Sequence, residues 1–156
     1  TFSKYPAIAS GKLEKGNDHV YNGNWNDFVI KGDTIRVVNM HLRSMSIRFE
    51  LPENEPFIKG VCLNLKDIYQ KLHVGYNIRM QELDYIDSVL ESSPHKLIIC
   101  ADMNSLPYSF AYQKLKQKYN NAFEQGGFGF GFTYRNFPWF IRIDNQFYDK
   151  EIKVNY

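Results

Sequence analysis

An alternation of apolar and polar residues predicts the first strands of the chain. From residue 34 to residue 42, side chains two positions apart share one face of an extended strand. One face carries Arg36, Val38, Met40 and Leu42, and the opposite face carries Ile35, Val37, Asn39 and His41. Residues 27–30 form a further strand candidate, and Gly32-Asp33 predicts a tight hairpin turn with glycine first. His41 therefore ends a predicted strand.

A continuous apolar run, residues 97–101, predicts a strand buried on both faces. Two polar side chains follow it, Asp102 and Asn104. Because they are two positions apart, they point the same way at the carboxyl end of the strand, where open α/β sheets bind ligands. Asp and Asn are also frequent turn residues, so the alternative is that the pair only shapes the turn before Pro107.

Apolar residues at three- and four-residue steps predict helices over residues 58–72 and 78–90. A shorter helix is predicted after Pro107, with Ser109 as its N-cap. Residues 126–132, rich in glycine and phenylalanine, lack the Gly-Lys-Ser/Thr ending of a phosphate-binding loop, and we expect an irregular loop with some substrate contact. Residues 140–144 are predicted to form a strand with Arg142 and Asp144 on one face. This mixture of strands and helices indicates an α/β fold with a mixed sheet.

Composition narrows the possibilities without choosing among substrates. The hydrophobic fraction of 44% and the aromatic fraction of 16% are typical of a globular domain rather than a disordered chain, and we expect residues 1–156 to form one domain. A net charge of +2 neither requires nor excludes nucleic acid. Cys62 and Cys100 form neither a disulfide framework nor a zinc site. No apolar run approaches the roughly 18 residues that a membrane-spanning helix needs.

Polar residues at three predicted strand ends suit phosphate ester hydrolysis if these ends converge. The residues are His41, the pair Asp102 and Asn104, and the pair Arg142 and Asp144. A carboxylate can orient or deprotonate water, an amide and an imidazole can donate to phosphate oxygens, and carboxylates can help to hold Mg²⁺. Each residue also has a purely structural interpretation. His41 could bond to backbone, and Arg142 could form an ion pair with Asp144 that contributes little to stability.

Several segments resemble, in the same order, the motifs of the endonuclease/exonuclease/phosphatase superfamily. The family elements are Ser-Arg/Lys-Tyr-Pro, Asn-Thr-His-Leu, Gly-Asp-Phe-Asn-x-x-Pro, Thr-Tyr and Arg-Ile-Asp-Tyr. The corresponding segments are Phe2-Ser3-Lys4-Tyr5-Pro6, Val38-Asn39-Met40-His41-Leu42, Ala101-Asp102-Met103-Asn104-Ser105-Leu106-Pro107, Thr133-Tyr134 and Arg142-Ile143-Asp144. Arg79 and Gln81 also fit the helix that precedes the Gly-Asp-Phe-Asn strand. The resemblance spans nearly the whole chain.

The resemblance implies catalytic roles for four residues. Asp102 would orient or activate the attacking water, and Asn104 would hydrogen-bond the scissile phosphate. His41 would donate to the phosphate or to the leaving oxygen, and Asp144 would orient a second histidine. The implied fold is a four-layer sandwich of two mixed β-sheets flanked by helices.

The resemblance also implies a metal ion and substrate contacts. One divalent ion, Mg²⁺ or Mn²⁺, would lie near the phosphate, with Asp102 and Asn104 as weak ligands in this chain. Arg142, Thr133 and Asn39 would contact the substrate. That substrate would be a phosphoester, whether nucleic acid, phospholipid headgroup or small phosphate.

Two family elements have no counterpart in the sequence: an upstream Glu that binds the metal and a final Ser-Asp-His. We therefore expect the chain to be part of a longer metal-dependent phosphoester hydrolase, and to be inactive alone. Ala101 and Met103 also replace the family's Gly and Phe, and Asn145-Gln146 replaces an aromatic-aliphatic pair. The alternative is a non-catalytic binding module that keeps the scaffold. An incomplete sandwich would expose sheet faces and strand edges, so we also expect self-association.

Overall fold

The computed structural model describes residues 3–13, 22–44, 56–135 and 140–154. In these residues six strands form one sheet of order β1-β2-β3-β4-β6-β5. β3 and β4 are parallel and every other neighbouring pair is antiparallel, so the predicted mixed α/β fold is confirmed. The strands are β1 (Ala7–Lys12), β2 (Asn22–Ile30), β3 (Asp33–His41), β4 (Lys96–Asp102), β5 (Tyr119–Asn121) and β6 (Asp144–Asp149), and the helices are α1 (Phe57–Glu91), α2 (Phe110–Lys118) and α3 (Ala122–Gly126).

The hairpin between β2 and β3 differs from the prediction in its turn residues. Ile30 pairs with Asp33, so the turn consists of Lys31 and Gly32. Both residues have positive φ, 53° and 92°, as in a type I′ turn, whose twist matches that of the flanking strands. Glycine thus occupies the second turn position and not the first. β2 also begins five residues before the predicted start, because its Asn- and Gly-rich beginning pairs along the whole of β3.

Helix α1 is one continuous helix of 35 residues, whereas the sequence pattern predicted two. Residues 73–77 interrupt the apolar stripe, but they contain no proline to break the backbone hydrogen bonding. Only the second half of α1 packs on the sheet, through Leu83, Ile86 and Leu90. In the first half, side chains such as Phe57 and Ile58 are exposed.

The hydrophobic core lies between one face of the sheet and helices α1 and α2. Side chains of alternate residues in β3, β4 and β6 meet the helices there; they include Val38, Met40, Leu97, Ile99, Ala101 and Phe147, packed against Leu83, Ile86, Leu90, Ala111, Tyr112 and Leu115. We call this the helix-covered face. The predicted N-cap of α2 is confirmed, since the Ser109 side chain accepts a hydrogen bond from the Tyr112 N–H.

The opposite face of the sheet, with Val37, Asn39 and His41 on β3 and Ile98 and Cys100 on β4, is called the open face. The predicted burial of residues 97–101 on both faces is wrong: Leu97, Ile99 and Ala101 are buried, whereas Ile98 and Cys100 on the open face are only partly buried. One sheet and one helical layer are present in the described part of the chain. The four-layer arrangement and the single domain remain predictions.

The segment before β6 is not the strand predicted over residues 140–144. Residues 141–143 instead bond to Thr133 and to the end of β4: Ile141 O accepts from Thr133 N at 3.1 Å, and Ile143 O accepts from Met103 N at 2.9 Å. Asp144 consequently begins a strand and does not end one. Among the described helices, none is both long enough and apolar enough to cross a membrane.

Candidate active site

Backbone register places three of the predicted catalytic residues side by side. His41 pairs with Asp102 across the parallel β3–β4 ladder, and Asp102 pairs with Asp144 across the antiparallel β4–β6 ladder. β3 and β4 end at this edge of the sheet while β6 begins there. Residues paired in register project from the same face, so His41, Asp102 and Asp144 form a row on the open face.

Asn104 joins this row through hydrogen bonds to the end of β3. Its Nδ2 donates to the Leu42 carbonyl oxygen at 2.8 Å and lies 2.8 Å from His41 Nε2. An amide nitrogen carries two hydrogens, and the contact with a carbonyl oxygen requires the nitrogen, not the oxygen, to face Leu42. The second hydrogen is then directed to His41 Nε2, which acts as the acceptor.

The turn after β4 gives Asn104 this orientation. Asn104 has a φ of 43°, in the left-handed region that Asn tolerates better than most residues. Its backbone N–H donates to Asp102 Oδ1 at 3.0 Å. The other carboxylate oxygen of Asp102, Oδ2, lies 3.5 Å from His41 Nε2. Asp102 thus orders the turn with one oxygen and faces the imidazole with the other.

A groove of about 490 Å³ opens over this row. Besides His41, Asp102 and Asp144, the groove is lined by a second row of paired residues, Asn39, Cys100 and Gln146. The remaining lining residues lie between the two rows and are Met40, Ala101 and Asn145. Asn39 therefore lies where the prediction put it. Both cysteines are free thiols, and burial raises the pKa of Cys100.

Gln146 is a groove residue that the sequence analysis missed. It lies two positions after Asp144, and that spacing in a strand could have revealed it. The prediction ended the strand at Asp144, so the residues beyond it were not considered as lining.

Thr133 is hydrogen-bonded to the backbone at the start of β6. Its Oγ1 accepts hydrogen bonds from the backbone N–H groups of Ile143, at 3.0 Å, and Asp144, at 3.1 Å. These bonds fix the point at which β6 begins. In this structure the hydroxyl of Thr133 positions Asp144, and Thr133 is not part of the groove lining.

Arg142 lies apart from the groove, and the structure does not place it on one strand face with Asp144. Its guanidinium carbon lies 4.2 Å from the centre of the Phe123 ring. Arg142 Nε and Nη1 are buried without a hydrogen-bond partner among the described residues. Burial alone would raise the pKa of Glu124. The Lys116 ammonium, the Tyr112 hydroxyl and the Arg142 charge together lower that pKa below its ordinary value.

The glycine- and phenylalanine-rich segment wraps around the same Phe123 ring. A Cβ added at Gly127 or Gly131 would lie 2.3 Å from a ring atom of Phe123. Between these two contacts, Phe128 and Phe130 are exposed at the tip of the loop. The predicted irregular loop is confirmed after Gly126, where α3 ends.

Comparison with known proteins agrees with this arrangement. The model of the endonuclease/exonuclease/phosphatase family matches residues 1–155. The chain belongs to this family. The resemblance seen in the sequence is therefore confirmed, and the chain has the fold of a family of phosphoesterase-type enzymes. No curated protein was found to match the chain in sequence.

Solved structures support the family fold. The human Nocturnin catalytic domain, determined with a bound sulfate anion, is similar with a TM-score of 0.54 and 14% identity, over 94% of this chain and 48% of that one. A family member from Leptotrichia buccalis C-1013-b is similar with a TM-score of 0.56 and 15% identity, over 96% of this chain and 53% of that one. The chain thus spans about half the length of these relatives.

The acidic side chains of the row are of the type that binds a hard cation. Asp102 and Asp144 present carboxylate oxygens, and Asn104 retains its Oδ1 because only Nδ2 is used by Leu42 and His41. Within the described residues no three or more His, Cys, Asp or Glu side chains form a complete metal site by themselves. Mg²⁺ is commonly held by one or two carboxylates, with water and substrate phosphates as the other ligands. The donors present fit that mode of binding.

Proposed function

We propose that the protein containing this chain is a metal-dependent phosphoester hydrolase, with its reaction centre at the row of His41, Asp102 and Asp144. The observation that carries the proposal is the adjacency of an imidazole and two carboxylates in one open groove of a family fold, with an oriented amide in contact with the imidazole. Phosphoester hydrolysis needs a water activated on one side of the phosphorus and donors to the phosphate oxygens. These side chains supply both kinds of group.

Asn104 and His41 would bind the scissile phosphate. A phosphate oxygen entering the groove would replace His41 Nε2 as the acceptor of the Asn104 N–H. Because Nε2 accepts in this structure, neutral His41 carries its proton on Nδ1. A His41 that donates from Nε2 to the phosphate or to the leaving oxygen must therefore first change to the Nε2–H tautomer or take up a second proton.

Asp102 would orient or activate the attacking water with Oδ2, since Oδ1 is held by the Asn104 N–H. A Mg²⁺ or Mn²⁺ ion held by Asp102 and Asn104, with Asp144 nearby, would neutralise charge on the phosphate when bound. Asp144 is exposed, and its carboxylate would orient a further catalytic group, as the sequence resemblance implies. Asn39 would contact the substrate in the groove and Thr133 would hold Asp144 in place, whereas Arg142 would require rearrangement to reach a substrate.

The test is hydrolysis by the full-length gene product with Mg²⁺, against plasmid DNA, sphingomyelin and inositol phosphates. We expect turnover of one class, with Asp102→Ala and His41→Ala each lowering kcat by roughly 10²–10⁴-fold. Lys96→Met is the matched control, because Lys96 pairs with Glu151 on the surface, away from the groove. Absence of turnover in every class would favour the alternative, a binding module that keeps the scaffold.

We further propose that the 156 residues alone hydrolyse phosphoesters very slowly, because the sequence has no counterpart of the family's metal-binding Glu or of its final Ser-Asp-His. Loss of one carboxylate ligand weakens Mg²⁺ binding, since this ion needs oxygen ligands in a near-octahedral arrangement. Turnover by the isolated chain comparable to that of the full-length protein would contradict this proposal.

Self-association is proposed for the same chain. The open face carries partly buried apolar side chains, Val37 and Ile98, and β1 and β5 are the outer strands of the sheet. Exposed strand edges and apolar sheet faces are templates for pairing between copies.

A further inference from the structure

The residue after His41 is held by the turn that carries Asn104. The Leu42 N–H donates to the carbonyl oxygen of Asp102 at 2.9 Å, and the Leu42 carbonyl accepts from Asn104 Nδ2 at 2.8 Å. Both backbone polar groups of Leu42 are therefore bonded to the end of β4. Movement of Leu42 would disturb the contact between His41 and Asn104.

The next residue, Arg43, is held from the other side by helix α1. Its backbone carbonyl accepts from Arg79 Nη2 at 2.5 Å, and its N–H lies 3.4 Å from Glu82 Oε2. Arg79 and Glu82 are three positions apart on α1, so they project from the same side of the helix. Their exposed fractions are 6% and 1%. The chain leaving β3 thus has all its backbone polar groups paired at Leu42 and Arg43.

Arg79 also contacts the turn after β4, which carries Asn104. Its Nη1 donates to the hydroxyl of Ser105, the residue that follows Asn104, and Ser105 is itself buried. One guanidinium therefore contacts both the segment after His41 and the segment after Asn104. The forked shape of the guanidinium allows this double contact, which a single ammonium cannot reproduce.

Stability alone does not explain this buried pair. Arg79 Nε and Glu82 Oε1 are buried without a hydrogen-bond partner among the described residues. Burial lowers the pKa of Arg79 and raises the pKa of Glu82, so each charged form is disfavoured here. Leu83, Ile86 and Leu90 already anchor α1 to the sheet. Buried charged side chains are often no more stabilising than apolar side chains of similar size.

We propose that Arg79 is a positioning residue that holds His41 and Asn104 at hydrogen-bond distance. It acts through the Arg43 carbonyl and the Ser105 hydroxyl, while Glu82 holds the backbone N–H of Arg43. The consequence for catalysis rests on the proposed function of the groove, whereas the consequence for geometry does not. Neither Arg79 nor Glu82 lines the groove, so neither is expected to touch substrate.

The test compares Arg79→Lys and Ser105→Ala with the wild-type protein by ¹⁵N NMR of the His41 ring and the Asn104 side-chain amide. We expect Arg79→Lys to convert His41 from a single tautomer to a mixture and to shift the Asn104 amide signals. Ser105→Ala, which removes one arm of the contact, should give a smaller change in the same direction. In the full-length enzyme, Arg79→Lys should lower kcat on the order of 10²-fold, with a smaller effect on KM.

Lys114→Met is the matched control, because Lys114 joins α2 to Asp84 on α1 at 2.7 Å and to Asp87 at 3.4 Å, and none of these residues lines the groove. Unfolding free energies are measured for all variants. If Arg79→Lys does not fold, Ser105→Ala alone decides the question. The proposal is overturned if Arg79→Lys and Ser105→Ala alter His41 and Asn104 no more than Lys114→Met does. Complete absence of hydrolysis would refute the proposed function, while the NMR comparison would still decide the positioning role.

Discussion

His41 Nε2 lies 2.8 Å from Asn104 Nδ2, so the last residue of β3 and a residue of the turn after β4 form a direct hydrogen bond. The same amide nitrogen donates to the Leu42 carbonyl at 2.8 Å. The orientation of Asn104 is thereby determined, and with it the protonation site of the neutral imidazole. Under the proposed function, a phosphate oxygen would replace this existing hydrogen bond between Asn104 and His41.

We predict that neutral His41 carries its proton on Nδ1 in the folded protein, and that Asn104→Ala converts it to a mixture with the Nε2–H form. The reason is that the alanine removes the donor that keeps Nε2 unprotonated. Imidazole ¹⁵N chemical shifts above neutral pH report the tautomer directly. The ring of His95, which contacts Asp27 and not Asn104, is the internal control. Equal tautomer populations in wild type and variant would contradict the prediction.

A second prediction concerns stability at the end of the sheet distant from the groove. Arg36 binds the Asp27 carboxylate through two hydrogen bonds of 2.7 and 2.9 Å, and Trp25 covers the guanidinium. Removing one partner of a buried ion pair typically destabilises a protein by about 3–5 kcal/mol. We therefore expect Asp27→Asn to lower the free energy of unfolding by that order in urea titrations at pH 7. Asp33→Asn, at an exposed position of the same hairpin, is the control.

The effect of Asp27→Asn should depend on pH in one direction. The hydrogen bonds from Arg36 hold the pKa of Asp27 below its ordinary value of 3.8. A carboxylate with a lowered pKa in the folded state contributes stability above 3.8, and that contribution is lost as the pH falls further. The difference between wild type and variant should shrink when unfolding is repeated below pH 3.8. A difference that grows in acid would show that the pair is not the cause.

The sequence predicts those structural features that depend on residues close together in the chain. The alternation of β3 predicted both of its faces, and so placed Asn39 and His41 correctly. Asp144 was expected at the edge of the sheet where it lies, although its strand was misassigned. An antiparallel strand that begins at this edge places its first residue beside the last residue of its neighbour. The predicted roles of Asn104 and Asp102 remain predictions, but the two side chains do lie beside His41.

Features that depend on distant partners were not predictable. The Asn-rich start of β2 has little intrinsic strand preference, and it becomes a strand by pairing with β3. The break in the apolar stripe of α1 predicted two helices, since the pattern does not show that the backbone continues through it. Arg79 matched a family helix, yet its contacts with Arg43 and Ser105 follow only from the packing of α1 against two loops.

The glycine-rich loop provides a third prediction with a matched pair of variants. Gly131 has a φ of 62° and a Cβ there would meet the Phe123 ring, whereas Gly129 has a φ of 78° and nothing within 4 Å. Gly129→Ala should lower the free energy of unfolding by about 1–2 kcal/mol from backbone strain alone. Gly131→Ala adds a clash and should cost about 1–3 kcal/mol more. Urea unfolding of the two variants measures the difference, and equal losses would show that the contact with Phe123 is unimportant.

The proposed self-association is tested by sedimentation velocity of the 156-residue chain at micromolar concentration. We expect dimers or larger species, and we expect Ile98→Lys on the open face to shift them to monomer, because a buried lysine at a sheet interface is strongly disfavoured. Leu65→Lys is the control, at an exposed apolar position on the first half of α1. A wild-type monomer would contradict the proposal. Dissociation by Leu65→Lys but not by Ile98→Lys would assign the contact to the helix instead.

The row of His41, Asp102 and Asp144 also has a consequence for how such a site can change over evolution. The spacing of these residues is determined by backbone hydrogen bonds between strands about 4.8 Å apart, and not by the side chains themselves. A substitution at one position of the row leaves the other two in place. Asn104 is different, because its own side chain holds the turn and the end of β3 together. The residues of the row can therefore be substituted one at a time, whereas Asn104 can change only together with the loops that depend on it.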